Sequence, residues 1–272
     1  MLRYAARRIV TGIPTLLGVS LLVFLMLHFL PGDPVMLMLT HPAGQSRPLM
    51  KEEVTDELYQ RMRRQLGLDQ PLGVQFVRFV TRAVQGDFGN SFRSDLPVRD
   101  RIARNLPFTL QLALAALALS LGAGLILGVL AALRHRTWID TAFMALAVSG
   151  VSMPSFWLGL MLILVFAFYL RWFPAVGSQG WKALVLPSVA LGVRAAALVA
   201  RLVRSSLIEV LHQDYVRTAR AKGLGRGAVV VKHALRNALI PVATVAGLQF
   251  GNLLGGAVIV ESVFGRPGIG HL

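Results

Sequence analysis

Residues that could carry out chemistry are few in this chain, and they are dispersed. The six histidines occur singly, without the spacing of a metal-ligand cluster: His28, His41, His135, His212, His233 and His271. The 272 residues include no cysteine, no Gly-x-x-x-x-Gly-Lys-Ser/Thr loop for phosphates and no His-Glu-x-x-His pair. We therefore expect no metal site, no cofactor bound by this chain and no catalytic site.

The strongest local signal is a short basic segment, Asp214-Tyr-Val-Arg-Thr-Ala-Arg-Ala-Lys-Gly223. Asp214 is predicted to cap a helix that begins at Tyr215, and Gly223 suits the left-handed position just past its end. Arg220 and Lys222 favour the negative pole of the helix dipole. Two interpretations remain open from the pattern alone: a docking element for a partner protein, or a basic loop that contacts anionic lipid headgroups.

The amino-acid composition indicates that the basic segment belongs to a membrane protein. With 55% apolar residues, 15% charged residues and a mean hydropathy of +0.61, the chain is too apolar for a soluble domain. The net charge of +15 does not indicate nucleic acid, because the basic residues lie between apolar runs and form no stripe with aromatics. The sequence predicts an all-α, polytopic bundle of transmembrane helices, with all 272 residues in a single domain.

Apolar runs of about 20 residues, the length that crosses a bilayer, predict the spans. We place five of them at residues 9–30, 107–133, 139–170, 183–208 and 238–262. The third run is about ten residues longer than a straight crossing requires and contains Pro154, so tilting or a kink is expected. Pro187 and Pro241 mark bends or helix starts in the last two spans.

Lysine and arginine in the short loops set the orientation, since they accumulate on the cytoplasmic side. The basic residues before the first span, between the second and third spans, and between the fourth and fifth spans all place the same face inside. The N-terminus is therefore predicted to be cytoplasmic, residues 31–104 to be extracytoplasmic and residues 209–237 to form a cytoplasmic loop. Within the outer segment, four-residue spacing of apolar residues over 51–66 predicts an amphipathic helix, interpreted as part of a cap over the outer mouth.

The cytoplasmic loop has a family resemblance. Tyr-Val-Arg-Thr-Ala-Arg-Ala-Lys-Gly-Leu (215–224) and Lys-His-Ala-Leu-Arg-Asn-Ala-Leu-Ile-Pro (232–241) resemble the coupling loop of bacterial ABC importer permeases of the peptide and nickel subgroup, first-permease type. Further similar motifs occur in order along the whole chain, at 7–17, 30–34, 65–72, 86–89 and 261–270. Two departures stand out: Pro241 follows Gly223 by eighteen residues rather than about thirteen, and a sixth span of the family is expected to be missing at the C-terminus.

The resemblance implies a permease subunit of an ATP-driven importer in the bacterial cytoplasmic (inner) membrane. ATP and Mg²⁺ would be used by two separate ATP-binding subunits. A second homologous permease would complete a heterodimer in the membrane lipid, and an extracytoplasmic solute-binding protein would deliver the substrate. The residues that the resemblance assigns to coupling with the ATPase subunits are Tyr215, Arg217, Thr218, Ala219, Arg220, Ala221, Lys222, Gly223 and Leu224.

Three features of the spans add hypotheses. Arg194 lies about 16 Å along the fourth span, near mid-membrane, where charges face a cavity or a partner. It is interpreted either as a pathway residue that attracts a peptide carboxylate, with Arg201 on the same face, or as a residue that pairs with a carbonyl or snorkels. Glu261 is placed at an outer gate by its position in a family-like motif. A stripe of small residues on the fifth span is predicted to pack against another helix: Gly247, Gly251 and Gly255.

The substrate is the least determined property. The resemblance implies small peptides, whether dipeptides, oligopeptides or glutathione, with a weak lean toward dipeptide or glutathione from the segments 83–89 and 247–251. A nickel importer of the same subgroup is the main alternative. A secondary transporter is less favoured, because the interiors of the predicted spans contain no acidic residue for ion coupling.

Overall fold

The structure is a computed structural model that describes residues 2–29, 35–36, 54–91, 96–177 and 180–272. Helices dominate it, and the described residues contain no β-strand, only an isolated bridge between Asn90 and Pro97. The all-α prediction is therefore confirmed. Contacts between Cα atoms divide the chain into two compact units, Met1–Arg101 and Ile102–Leu272, and the arrangement of a single domain stays a prediction.

The first unit contains α1 (Leu2–Phe29), α2 (Asp56–Leu66) and α3 (Leu72–Val84). The aromatic ring of Phe24 in α1 lies 5.5 Å from that of Phe76 in α3, centroid to centroid. The amphipathic helix predicted over 51–66 is present as α2, and residues 51–53 lie outside the described residues. It ends because Gly67 adopts φ +69, the left-handed conformation that glycine permits, and its N–H bonds to the Arg64 carbonyl.

The remaining helices make up or lead into the second unit. They are α4 (Val98–Leu133), α5 (Trp138–Ser152), α6 (Ser155–Leu162), α7 (Lys182–Leu211), α8 (Asp214–Ala221) and α9 (Arg226–Val263). α6 continues as a π-helix over Ile163–Tyr169, and α9 contains a π-helical stretch at Val229–Ala234. A 3₁₀ turn, Ile269–His271, follows α9.

Several helices of the described residues have the length and composition of membrane spans, and the exact bounds of the predicted spans stay a prediction. Among the described residues, four helices are long and apolar enough to cross a membrane, and a fifth crossing results if α5 and α6 count as one. These two helices meet at an angle of 104° around Pro154, which lacks the N–H that would continue the helix. The kink expected at Pro154 is thus a full break. Pro187 and Pro241 lie inside α7 and α9, so neither of those helices begins at its proline.

The main core of the second unit lies where α4, α7 and α9 meet. Its buried side chains are small or aliphatic, with one aromatic ring: Leu112, Ala113, Ala116, Leu186, Ala190, Leu191, Ala195, Leu253, Ala257, Val260 and Phe264. The alanines allow the helix backbones to approach closely, which favours association in lipid. α7 is central, because it packs on α9, α5 and α6 as well.

Three glycines on α4 and α7 lie at close contacts between these two helices. A Cβ at Gly124 would lie 2.7 Å from the Val199 side chain, and one at Gly128 would lie 2.6 Å from the Ala200 carbonyl oxygen. At Gly192 it would lie 2.8 Å from the Ala116 oxygen. A Cβ on the stripe of the fifth span would meet no atom of the described residues within 4 Å, so the packing of this stripe against another helix stays a prediction for Gly247, Gly251 and Gly255.

Candidate functional site

The basic segment forms its own helix, α8, held against the chain by an apolar stripe. Val216 and Ala219 are both buried and pack with Val229, Val210 and Leu211. Because these two residues lie three positions apart, they share one face of the helix. That face belongs to the interior of the protein, and the opposite face of α8 is exposed.

The outward face of α8 carries most of the residues assigned to ATPase coupling. Exposed residues of the segment are Tyr215, Arg217, Thr218, Arg220, Ala221, Lys222, Gly223 and Leu224. Ala219 is the exception: with an exposed fraction of 6%, it cannot contact a partner, and its assignment is corrected to a packing residue. The physical reason is the helical repeat: Ala219 lies three positions after Val216, so both side chains lie on the same inward face of α8.

The C-terminal end of α8 has the predicted capping residue, and the N-terminal end does not. Gly223 adopts φ +80, and its N–H bonds to the Arg220 carbonyl at 2.9 Å, as expected for a left-handed residue past a helix end. The predicted cap is wrong: Gln213 occupies the N-cap position, and Asp214 lies in the first turn with a solvent-exposed side chain. Asp214 instead approaches Arg217, with 3.8 Å between carboxylate and guanidinium.

Two hydrogen bonds connect α8 to α9 and the start of α9 to the end of α4. Asn237 of α9 donates from Nδ2 to the Tyr215 hydroxyl at 2.7 Å. Arg226 donates from Nη2 to the carbonyl of Leu133, the last residue of α4, at 3.4 Å. A force applied to α8 would therefore reach α9 and the end of α4 through polar contacts as well as through the apolar stripe.

A cavity of about 810 Å³ lies among the α5–α6 break, α7 and α9. Arg194 and Arg201 both line it, and they belong to the same face of α7. Further polar side chains in its wall are Ser152, Ser155, Gln249 and Asn252. None of the described residues that line the cavity is acidic.

The two cavity arginines have no ion pair or hydrogen bond to any described residue. Both side chains are exposed to the cavity or the surface. The structure thus places the two pathway candidates of α7 together, and it does not show Arg194 pairing with a carbonyl of this chain. Glycines of the stripe do not line the cavity, although their neighbours Gln249 and Asn252 do.

Glu261 lies elsewhere, in a buried polar cluster, and its interpretation as an outer-gate residue stays a prediction. The carboxylate is fully buried and accepts hydrogen bonds from the Thr109 hydroxyl at 2.6 Å and the Gly270 N–H at 2.9 Å. The Thr109 oxygen in turn accepts from the N–H of Ile269 at 2.9 Å. Glu261 therefore holds the 3₁₀ turn after α9 against α4 and does not line the cavity.

Arg266 completes the buried polar cluster around Glu261. It is 1% exposed and donates from Nη2 to Gln111 Oε1 at 2.7 Å, while its Nε and Nη1 have no hydrogen-bond partner among the described residues. Burial lowers the pKa of the Arg266 guanidinium from its ordinary value, and the charge of Glu261 opposes that shift. The cluster joins α4 to the segment after α9.

Sequence reasoning missed one further ion pair. Arg204 of α7 binds Asp140 of α5, a buried carboxylate that also accepts from the backbone N–H of Arg136. The signal was present in the topology: the start of the third span and the end of the fourth are predicted at the same membrane face. An acidic and a basic residue at those two ends are therefore able to meet.

Comparison with known proteins agrees with this architecture. Residues 124–272 match the family of binding-protein-dependent transport system inner membrane components, and residues 1–113 match the N-terminal region described for such components. The chain belongs to this family, as the resemblance of its coupling loop predicted.

Curated relatives of this chain include glutathione transport system permease proteins named GsiC. The protein of Escherichia coli is 47% identical over 272 residues, which is 100% of this chain and 85% of the relative. The protein of Salmonella choleraesuis is 46% identical over the same shares. A solved structure, a crystal structure of an amino acid ABC transporter with histidines, is similar with a TM-score of 0.48 at 17% identity, over 63% of this chain and 75% of that chain.

Proposed function

We propose that this chain is a transmembrane permease subunit of an ATP-driven importer of small peptides. The observation that carries the proposal is α8, whose apolar stripe is fixed in the permease while its basic face is exposed, in a member of a binding-protein-dependent transport family. A short helix with that asymmetry can be moved by a partner without unfolding. The Tyr215 and Arg226 contacts would pass the motion to α9 and α4.

Energy would come from partner subunits. The sequence contains no phosphate-binding loop, so two separate ATP-binding subunits are proposed to use ATP and Mg²⁺ and to receive α8. A second homologous permease and an extracytoplasmic solute-binding protein would complete the importer. We place it in the bacterial cytoplasmic membrane, with the N-terminus and α8 in the cytoplasm, because the basic loops accumulate on that side.

Alternating access would follow from rigid-body motion of packed helices. The break at Pro154 leaves α5 and α6 as separate bodies, and α7 carries Arg194 and Arg201 on one wall between them. Closure of the ATPase pair would shift α8 and with it α9, the opposite wall. In this proposal the cavity is the translocation pathway, lined by Arg194 and Arg201.

Peptides are favoured over nickel by the charge of the cavity. Two guanidiniums and no carboxylate or imidazole among its described lining residues oppose a divalent cation, which prefers nitrogen and oxygen ligands. The similarity to glutathione transport permeases supports the same choice, since glutathione is a tripeptide. Peptide carboxylates have the charge that such a wall attracts.

Purification of the tagged permease from its native membrane in mild detergent tests the proposal. Mass spectrometry is expected to recover two ATP-binding subunits and a second permease, with ATPase activity in the eluate that a peptide-loaded binding protein stimulates. Recovery of the permease alone, without ATPase activity, would contradict the proposed function.

A further inference from the structure

The described lining of the cavity carries a net positive charge that a bound anion could neutralise. Arg194 and Arg201 contribute two positive charges, neither has a partner among the described residues, and no acidic residue lines the same wall. Arg194 is predicted near mid-membrane, where a charge is costly unless it faces a cavity or pairs with an opposite charge, and Arg201 is predicted closer to the cytoplasmic end of the span. An anionic occupant would supply that pairing, whereas a zwitterion with one carboxylate would satisfy only one guanidinium.

The spacing of the two arginines indicates the size of the occupant. Seven residues of helix separate their Cα atoms by about 10.5 Å along the axis of α7. An extended peptide spans at most about 3.3–3.6 Å per residue, so three residues cover about 10 Å. Resting on the proposed function, we propose that Arg194 and Arg201 together bind a peptide of two to three residues through two carboxylates at its opposite ends.

Other groups in the wall fit the middle of such a peptide. Gln249 is 9% exposed, and its Oε1 accepts from Asn252 Nδ2 at 3.1 Å, but its Nε2 has no hydrogen-bond partner among the described residues. Because Gln249 lines the cavity, this free N–H group can donate to a peptide carbonyl. The start of α6 also lines the cavity, and its first helical bond runs from the Leu158 N–H to the Pro154 carbonyl, so the preceding N–H groups are available to an anion.

The absence of an acidic group in this wall sets the specificity. The α-ammonium of an ordinary peptide finds no described carboxylate there, so it gains nothing from the wall. A second carboxylate gains a charge-assisted, bidentate contact with a guanidinium. The site therefore discriminates peptides with a carboxylate at each end from neutral peptides of equal length, in addition to any selection by the binding protein.

The test uses the complete importer in proteoliposomes and two tripeptides, Asp-Ala-Ala and its neutral isostere Asn-Ala-Ala. The chain has no cysteine, so Arg194→Cys and Arg201→Cys each introduce a single thiol into this subunit. After assembly, the thiol is labelled with a methanethiosulfonate that carries either an ammonium or a hydroxyl group. The charge at the labelled position is thus changed in a protein that has already folded. The binding protein prefers one tripeptide over the other to the same extent with either label, so its preference cancels when the two labels are compared.

We expect the uptake ratio of Asp-Ala-Ala to Asn-Ala-Ala to be about tenfold higher with the cationic label than with the neutral one, the factor that a charged hydrogen bond supplies. Arg236→Cys, an exposed position of α9 outside the cavity, is the matched control and should give one ratio with both labels. Equal ratios at positions 194 and 201 would overturn the two-carboxylate site and leave the importer intact. No uptake with either label, while the wild-type complex transports both peptides, would overturn it too.

Failure of the proposed function has a different signature. If the wild-type complex shows no ATP-dependent uptake of either tripeptide, the importer assignment itself fails, and the labelled variants are not needed to reach that conclusion.

Discussion

Arg204 of α7 donates two hydrogen bonds to the carboxylate of Asp140 in α5, from Nε at 2.6 Å and from Nη2 at 2.7 Å. His135 lies 3.2 Å from both partners through its Nδ1. The pair fixes the start of α5 to the same helix that carries Arg194 and Arg201. One wall of the cavity is therefore anchored by a partly buried ion pair outside it.

Removal of both partners is expected to cost less unfolding free energy than the sum of the two single removals. Arg204→Ala leaves the buried Asp140 carboxylate without its charge partner, a change that typically costs about 3–5 kcal/mol. The double variant Asp140→Ala/Arg204→Ala leaves no uncompensated charge and should be less destabilised than the sum of the two single variants. Thermal unfolding of the purified permease in detergent measures this, and strictly additive losses would argue against a coupled pair.

Two glycines distinguish packing within the chain from an open face. Gly128→Val forces a side chain against the Ala200 carbonyl and Val203, and overpacking of this kind costs about 1–3 kcal/mol. Gly251→Val meets no atom within 4 Å and is expected to leave the unfolding midpoint of the isolated permease unchanged. The same thermal measurement on both variants checks the difference. Equal destabilisation would show that α9 packs through its glycine stripe after all.

Neighbouring alanines of α8 separate docking from folding. Ala219 is buried and Ala221 is exposed, two positions apart on a short helix. Ala219→Glu buries a charge and should lower the stability of the permease itself. Ala221→Glu should leave that stability unchanged but reduce recovery of ATPase subunits on co-purification. If both variants bind the ATPase subunits normally, α8 is not the docking element.

The Glu261 cluster should act on stability and not on transport selectivity. Thr109→Val removes the hydroxyl that bonds both Glu261 and the Ile269 N–H, leaving buried groups unsatisfied at about 1–3 kcal/mol. Its effect should be less than additive with Glu261→Gln, because the two side chains share one network. The unfolding midpoints test the coupling. A changed uptake ratio of Asp-Ala-Ala to Asn-Ala-Ala in Glu261→Gln would return Glu261 to the pathway.

Local signals in the sequence predicted the local features well. Hydrophobic run length located the membrane helices, Pro154 indicated a kink because it lacks an N–H, and Gly223 indicated the end of α8 because it tolerates positive φ. Each of these depends on one residue type and its immediate neighbours. The arginines on one face of α7 likewise follow from helical periodicity alone.

Tertiary contacts explain what the sequence did not predict. Periodicity states that Gly247, Gly251 and Gly255 share a face, but it cannot state whether that face meets this chain, lipid or another subunit. Gly124 and Gly128 have the same four-residue spacing and do contact α7. The roles of Glu261 and Ala219 were predicted from their positions in family-like motifs. Glu261 is buried by the turn after α9, and Ala219 is buried by packing with Val229. No local sequence pattern reveals either contact.

ATP-dependent uptake of a labelled tripeptide into proteoliposomes tests the central claim most directly. The vesicles contain this permease with its co-purified permease and ATPase subunits, ATP is enclosed on the side of the ATPase subunits, and the binding protein is added outside. The account predicts accumulation that requires both ATP and the binding protein and is lost in Ala221→Glu. Accumulation without ATP, or none under any of these conditions, would contradict it.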